Sequence, residues 1–213
     1  MRKDYEIILK LIPENSKVLD IGCSDGELIS YLENKGVSAQ GVELNQEKVI
    51  KCLEKGLDVI HGDINLIVED FPFNQFDYCL LTQTIQAVQK PDQLLNTLKK
   101  VSKNIIVSFN NSARLSKISN FLLSGSFDSL LKKADSDHWY NTDYIHPCSI
   151  KDFKKLAENL DLKIISTFDV INQRKFENGK IPSNLFCKEV LFHITAVSYK
   201  HLTLPTISCV YIY

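Results

Sequence analysis

From residue 17 to residue 109 the chain alternates short apolar runs with amphipathic stretches. KVLDIG (17–22) has the length and composition of a strand, and DGELISYLENKG (25–36) carries apolar residues at helical spacing up to a glycine stop. SAQGVEL (38–44) predicts a second strand and QEKVIKCLEKG (46–56) a second helix. LDVIHGD (57–63) and FDYCLLTQ (76–83) read as the third and fourth strands. PDQLLNTLKKVS (91–102) opens with Pro-Asp, a good first helical turn, and leads into a fifth strand, KNIIVSF (103–109). Strands alternating with helices of this length predict a mainly parallel, twisted sheet with helices on both faces.

The rhythm breaks after Phe109. Residues 110–148 form a polar, aromatic-bearing insertion with one helix expected near 112–123, and Trp139 and Tyr140 mark it as an ordered lid or a partner-docking surface. SIKDFKKLAENLD (149–161) then predicts a Ser-capped helix, followed by strands at LKIISTFDVI (162–171) and LFCKEVLFHIT (185–195). That last pair is expected to finish the sheet in antiparallel fashion. Residues 1–194 are read as a single domain. The remainder, 195–213, fits the pattern badly: it would prolong the last strand with an apolar segment interrupted by Pro205, and its SYKHLTLPTI run resembles translated sequencing-adapter sequence. It is expected to be a non-native tail.

Composition narrows the function classes. Of 213 residues, 25 are Lys or Arg and 26 Asp or Glu, a net charge of -1, so the basic excess of a nucleic-acid or anionic-membrane protein is missing. The six cysteines include no C-x-x-C pair, which speaks against a zinc site and for reduced, buried thiols. The opening MRKDYEIILKLIPENSK has no apolar core of a signal peptide, and nowhere do 18 apolar residues run together. A cytoplasmic protein is expected.

The chemistry-bearing signal is V-L-D-I-G-C-S-D-G (18–26), a strand running into a glycine turn that opens a helix. Such a turn lets backbone approach a ligand closely. Ser24 and Glu27 stand where a dinucleotide fingerprint needs glycine, and no G-K-[ST] follows, so neither a dinucleotide site nor a Walker loop is expected. Glu43 closes the second strand, where such folds place a carboxylate for the two ribose hydroxyls. Asp63 closes the third, where it can accept from an adenine amine. In this order the three features outline an adenosyl pocket.

The set resembles the class I S-adenosylmethionine-dependent methyltransferases, with a Rossmann-like fold. The resemblance implies S-adenosyl-L-methionine or S-adenosyl-L-homocysteine as cofactor. Asp20, Gly22, Cys23 and Gly26 would form the turn on its methionine side, Glu43 would hold the ribose, Leu44 and Ile64 would flank the adenine, and Asp63 would meet the adenine amine. Ser24 departs from the glycine that those enzymes prefer. VLDIGCSDGELISYL, GVELNQEKVIKCLEKGLDVIHGDI, FPFNQFDYCLLTQTIQAVQKPDQLL and WYNTDYIHPCSIKDF narrow the match: over about residues 5–194 the sequence is similar to the MetW family of methionine-biosynthesis proteins. The T-Q-T-I-Q-A-V and W-Y-N-T-x-x-I-H segments discriminate. That family implies an activating partnership with a MetX-type homoserine O-acyltransferase, with the adenosyl pocket free to sense the pathway's end product.

Chemistry at the pocket is the alternative: a catalytic methyltransferase acting on a small molecule. Methyl transfer needs a nucleophile held in line with the sulfonium and sometimes a base. Thr82-Gln83-Thr84-Ile85 stands where amino-directed methyltransferases carry an Asn-Pro-Pro-aromatic or Asp-Pro-Pro-aromatic corner. Gln83, Gln86, His138, Tyr140 and His146 are the polar groups available over the pocket, Gln83 also as a cofactor contact. No metal site is expected, since His138 and His146 lie eight apart with no thiolate between them.

Overall fold

A computed structural model describes residues 1–127, 146–177 and 179–196. The expectations for His138, Trp139 and Tyr140, and for the tail beyond Ala196, lie outside the described residues.

Among the described residues eight strands form one sheet: β1 (Lys17–Ile21), β2 (Ser38–Glu43), β3 (Val59–His61), β4 (Phe76–Thr82), β5 (Ser102–Asn110), β6 (Leu162–Asp169), β7 (Arg174–Glu177) and β8 (Glu189–Ala196). Their order is β3-β2-β1-β4-β5-β8-β6-β7. The first five are parallel, with Ile21 beside Val42 and Thr82 beside Ser108, so their carboxyl ends lie along one rim. The order reverses between β1 and β4, the switch point where open α/β sheets bind ligands. This is the mainly parallel architecture expected from the sequence.

The antiparallel finish differs in detail from the sequence expectation. β8 pairs antiparallel with both β5 and β6, so the last strand inserts between two earlier ones. Its composition explains this: Val190, Leu191, Phe192 and Ile194 are all fully buried, as a strand covered on both faces requires. β7, with its sequence RKFE, is the charged and largely exposed edge. β3 is shorter than expected, because the chain turns at Gly62 and Asp63 into a short helix, α4 (Ile64–Ile67).

Two apolar layers cover the sheet. On one face α5 (Pro91–Val101) and α7 (Ile150–Asn159) bury Leu95, Leu98, Phe153 and Ala157 against Leu81, Val107, Phe109 and Phe192. Phe153 lies with its ring centroid 4.7 Å from that of Phe192 and 5.3 Å from that of Phe109. On the other face α1 (Lys3–Leu11), α2 (Glu27–Asn34) and α3 (Gln46–Glu54) pack Ile8, Leu28, Leu32 and Cys52 against Val18, Leu80, Ile106 and Leu191. Local caps set the helix starts: Gly26 at φ 77 for α2, the Asn45 side chain accepting from the Glu47 and Lys48 amides for α3, and a Ser149–Asp152 capping box for α7. The insertion after β5 opens with α6 (Leu115–Ser124), close to its expected place.

Candidate functional site

The carboxyl ends of β1, β2 and β3 open onto a cleft of about 490 Å³, a size suited to a small organic ligand. It is lined by Gly22, Glu43, Leu44, Asp63 and Ile64 among the sequence-expected residues. Ile21, Val42, Asn45, Lys48, Gly62, Thr84, Ala87 and Val88 complete it and were not singled out from sequence as contacts. Asn45 and Lys48 arrive because α3 begins directly after Glu43-Leu44. Thr84, Ala87 and Val88 belong to the T-Q-T-I-Q-A-V segment, whose pattern flagged the family but not the contact.

The glycine turn holds the acid of β2. Ser24 N–H donates to Glu43 Oε2 and Asn45 N–H to Oε1, both at 2.9 Å. The side chain of Glu43 is thereby fixed at the cleft wall while each oxygen keeps acceptor capacity. Gly22, at φ 73, presses so closely on Thr84 that a Cβ there would stand 2.7 Å from Thr84 Oγ1. Thr84 Oγ donates to the Ile21 carbonyl at 3.0 Å, bridging the turn to the segment after β4. Ser24 itself adopts φ 54, the left-handed region that glycine takes at less cost.

The other sequence-expected residues lie around the cleft rather than along it. Cys23 is buried, its sulfur tucked where a Cβ on Gly41 would meet it at 2.6 Å, and burial pushes its thiol above the ordinary range. Gly26 packs against Leu57 and Cys52. Asp20 is 1% exposed, its Oδ1 has no hydrogen-bond partner, and burial raises its carboxyl to about 7, with Asp4 and Glu43 adding to the rise and Arg2 opposing it. Gln83, at φ 60, donates through Nε2 to Glu189 Oε1 at 2.8 Å and accepts at Oε1 from Asn110 at 2.9 Å. Gln86 is buried, and His146 donates its backbone N–H to the Gln86 carbonyl while its ring meets the Gln89 carbonyl at 3.1 Å.

A cleft at the switch point, walled by an anchored strand-end acid and a glycine turn, on this strand order, defines a class I methyltransferase-like fold. Solved structures of the class superpose on it. A TehB-like S-adenosylmethionine-dependent methyltransferase from Corynebacterium glutamicum matches at a TM-score of 0.61 and 14% identity, over 92% of this chain and 89% of that one. The magnesium protoporphyrin IX methyltransferase of Synechocystis, solved with bound S-adenosylhomocysteine, matches at 0.64 and 13%, over 92% and 83%. The family described as methionine biosynthesis protein MetW matches residues 2–194, and the chain belongs to that family. The bifunctional methionine biosynthesis protein MetXA/MetW of Rhodopirellula baltica is 31% identical over 202 residues, which are 89% of this chain and 32% of that protein. The chain thus spans about a third of that relative's length. Among the described residues no helix is long and apolar enough to cross a membrane, and no cluster of three His, Cys, Asp or Glu side chains is placed to hold a metal.

Proposed function

We propose that this MetW-family chain supports methionine biosynthesis as the activating partner of a MetX-type homoserine O-acyltransferase, and that its cleft binds S-adenosylmethionine or S-adenosylhomocysteine as a regulatory ligand. The observation that carries the partnership is the relative in which MetXA and MetW share one polypeptide. Covalent linkage keeps two modules at high effective concentration, an arrangement suited to modules that work together.

The ligand reading is supported by what the residues offer. Glu43, held by two backbone amides, retains lone pairs for a pair of vicinal hydroxyls. Leu44 is 65% exposed at the cleft mouth, an apolar surface that a base could cover.

A regulatory role is favoured over methyl transfer by the segment after β4. The side-chain amide of Gln83 is engaged at both ends, by Glu189 and Asn110, and so serves as a clamp between β4, β5 and β8. The His146 ring sits on the Gln89 carbonyl.

The test is the rate of homoserine O-acylation by the cognate acyltransferase with and without this protein, over a titration of S-adenosylmethionine. A large rise on adding the protein is expected, modulated by the nucleoside. An unchanged rate would refute the partnership, and a rise indifferent to S-adenosylmethionine would refute regulation. A methylated product would establish the enzyme reading instead.

A further inference from the structure

The apolar side chains of α6 are not used by the core. LSKISNFLLS places Leu115, Ile118 and Leu122 along one stripe with Phe121 beside it, yet none of the ten residues is buried. Leu122 and Leu123 are 75% and 88% exposed. Phe127, whose ring centroid lies 5.1 Å from that of Phe121, is 62% exposed. At the other end of the helix the Leu115 N–H donates to the Leu185 carbonyl at 2.7 Å, which brings Leu185, and Phe186 after it, to the start of the stripe. Both are exposed, Phe186 at 73%. Apolar residues scattered singly over a surface are ordinary, whereas a run of them over two adjoining segments marks a contact surface. A helix this short also gains most of its stability from packing, which here a partner would supply.

The patch stands on the same rim of the sheet as the cleft. β5 ends at Asn110, opposite Glu189 at the start of β8; α6 follows the one and Leu185-Phe186 precede the other. Asn111 ties the two segments together, its Nδ2 donating to the carbonyls of Asn184 at 2.7 Å and Cys187 at 2.9 Å. Its neighbour Asn110 donates to Gln83, one residue before Thr84 of the cleft wall. A molecule seated on the patch therefore rests on the hydrogen-bonded frame that borders the cleft. The charge of the patch has one sign: residues 111–127 and 183–188 contain Arg114, Lys117 and Lys188 and no acid. Such a surface complements an apolar face with an acidic margin.

We propose that α6, with Leu185 and Phe186, is the surface on which the MetX-type acyltransferase docks, through an apolar face bordered by acidic side chains. The inference rests on the partnership proposed above and names where it is made. The relative that carries MetXA and MetW in one polypeptide supplies the occupant, since fused modules that act on one another meet on a surface of each. A second copy of this chain fits less well, because a two-fold contact would set one basic margin against another. Ile50 and Leu53 of α3 are exposed too, but α3 packs on β2 and β3 at the far end of the sheet from β5 and β8.

The experiment is calorimetric titration of the cognate acyltransferase with the full chain and three variants: Leu122→Glu with Leu123→Glu, Phe186→Ala, and, as a control on α3, Ile50→Glu with Leu53→Glu. The α6 pair should weaken association about a hundredfold and Phe186→Ala about tenfold, with activation of the acyltransferase falling in parallel. The α3 pair should bind like the unchanged protein. Leu122, Leu123 and Phe186 are exposed, so urea midpoints should stay where they are. Hydrogen exchange on the unchanged protein needs no variant: adding the acyltransferase should slow the amides of α6 and of residues 184–188. Undiminished association of the α6 pair, equal losses in the α6 and α3 pairs, or no protection of α6 in the complex would each overturn the surface and leave the partnership standing. So would a dimer of the unchanged protein that the α6 pair splits while acyltransferase affinity stays, which would assign the patch to a second copy. An unchanged protein that neither binds nor activates the acyltransferase would overturn the partnership itself, and the surface with it.

Discussion

Asp20→Asn separates the electrostatic cost of this buried acid from everything else in the fold. Burial raises its carboxyl from the ordinary 3.8 to about 7; Asp4 and Glu43 reinforce the rise and Arg2 opposes it. In the unfolded chain the proton leaves near pH 4, whereas the folded protein holds it until about pH 7. Between those values the folded state binds more protons, so stability falls as pH rises. The contribution is complete below about pH 4 and gone above about pH 7. At about 1.4 kcal/mol per pH unit the span is worth about 4 kcal/mol. Asparagine is close in shape and does not titrate, so any constant cost of its amide cancels when pH values are compared. Urea unfolding of both proteins at pH 4, 6 and 8 should show the difference in unfolding free energy moving in favour of Asp20→Asn by about 4 kcal/mol. With a slope of about 2 kcal/mol per molar urea, that is a relative midpoint shift of about 2 M. All other titrating groups are shared, so two pH profiles that run parallel would refute the argument that Asp20 carries an uncompensated buried charge.

Four further outcomes follow from the geometry. Glu43→Ala strips the Ser24 and Asn45 amides of their acceptor, so unfolding free energy should fall by about 1–3 kcal/mol and calorimetric binding of S-adenosylhomocysteine should disappear. Gly22→Ala forces a side chain into a left-handed turn, 2.7 Å from Thr84 Oγ1; a loss of about 1–2 kcal/mol in urea unfolding and weaker nucleoside binding are expected. Phe153→Ala empties the space between Phe109 and Phe192 and should cost about 3–5 kcal/mol by the same assay, with ligand affinity per folded molecule retained. Ser149→Ala removes the capping box of α7, and a loss of about 0.5–2 kcal/mol is expected in thermal or urea unfolding.

Much of this protein was legible in the order of its residues. Apolar periodicity and glycine stops are local signals, and they located β1, β2, β4, α2, α3, α5 and α7 to within a few residues. The strand-end acids Glu43 and Asp63 followed from chain order, since a parallel sheet places successive carboxyl ends along one rim. α1 also leaves a local trace, Tyr5, Ile8 and Ile12 recurring at helical spacing before Pro13. What no local pattern announces is pairing across the chain. The insertion of β8 between β5 and β6 is decided by which site buries both faces of Val190–Ile194, a property of the assembled layers rather than of the strand. The Gln83–Glu189 clamp joins residues 106 apart, and the Ser108–Asp4 bond joins residues 104 apart. Sequence alone therefore determined the fold class and one part of the cleft wall, Gly22, Glu43, Leu44, Asp63 and Ile64. Tertiary structure alone brought the Arg2–Asp4 pair against Ser108 and into electrostatic range of Asp20, because the energy of a buried charge depends on which distant groups the backbone carries to it.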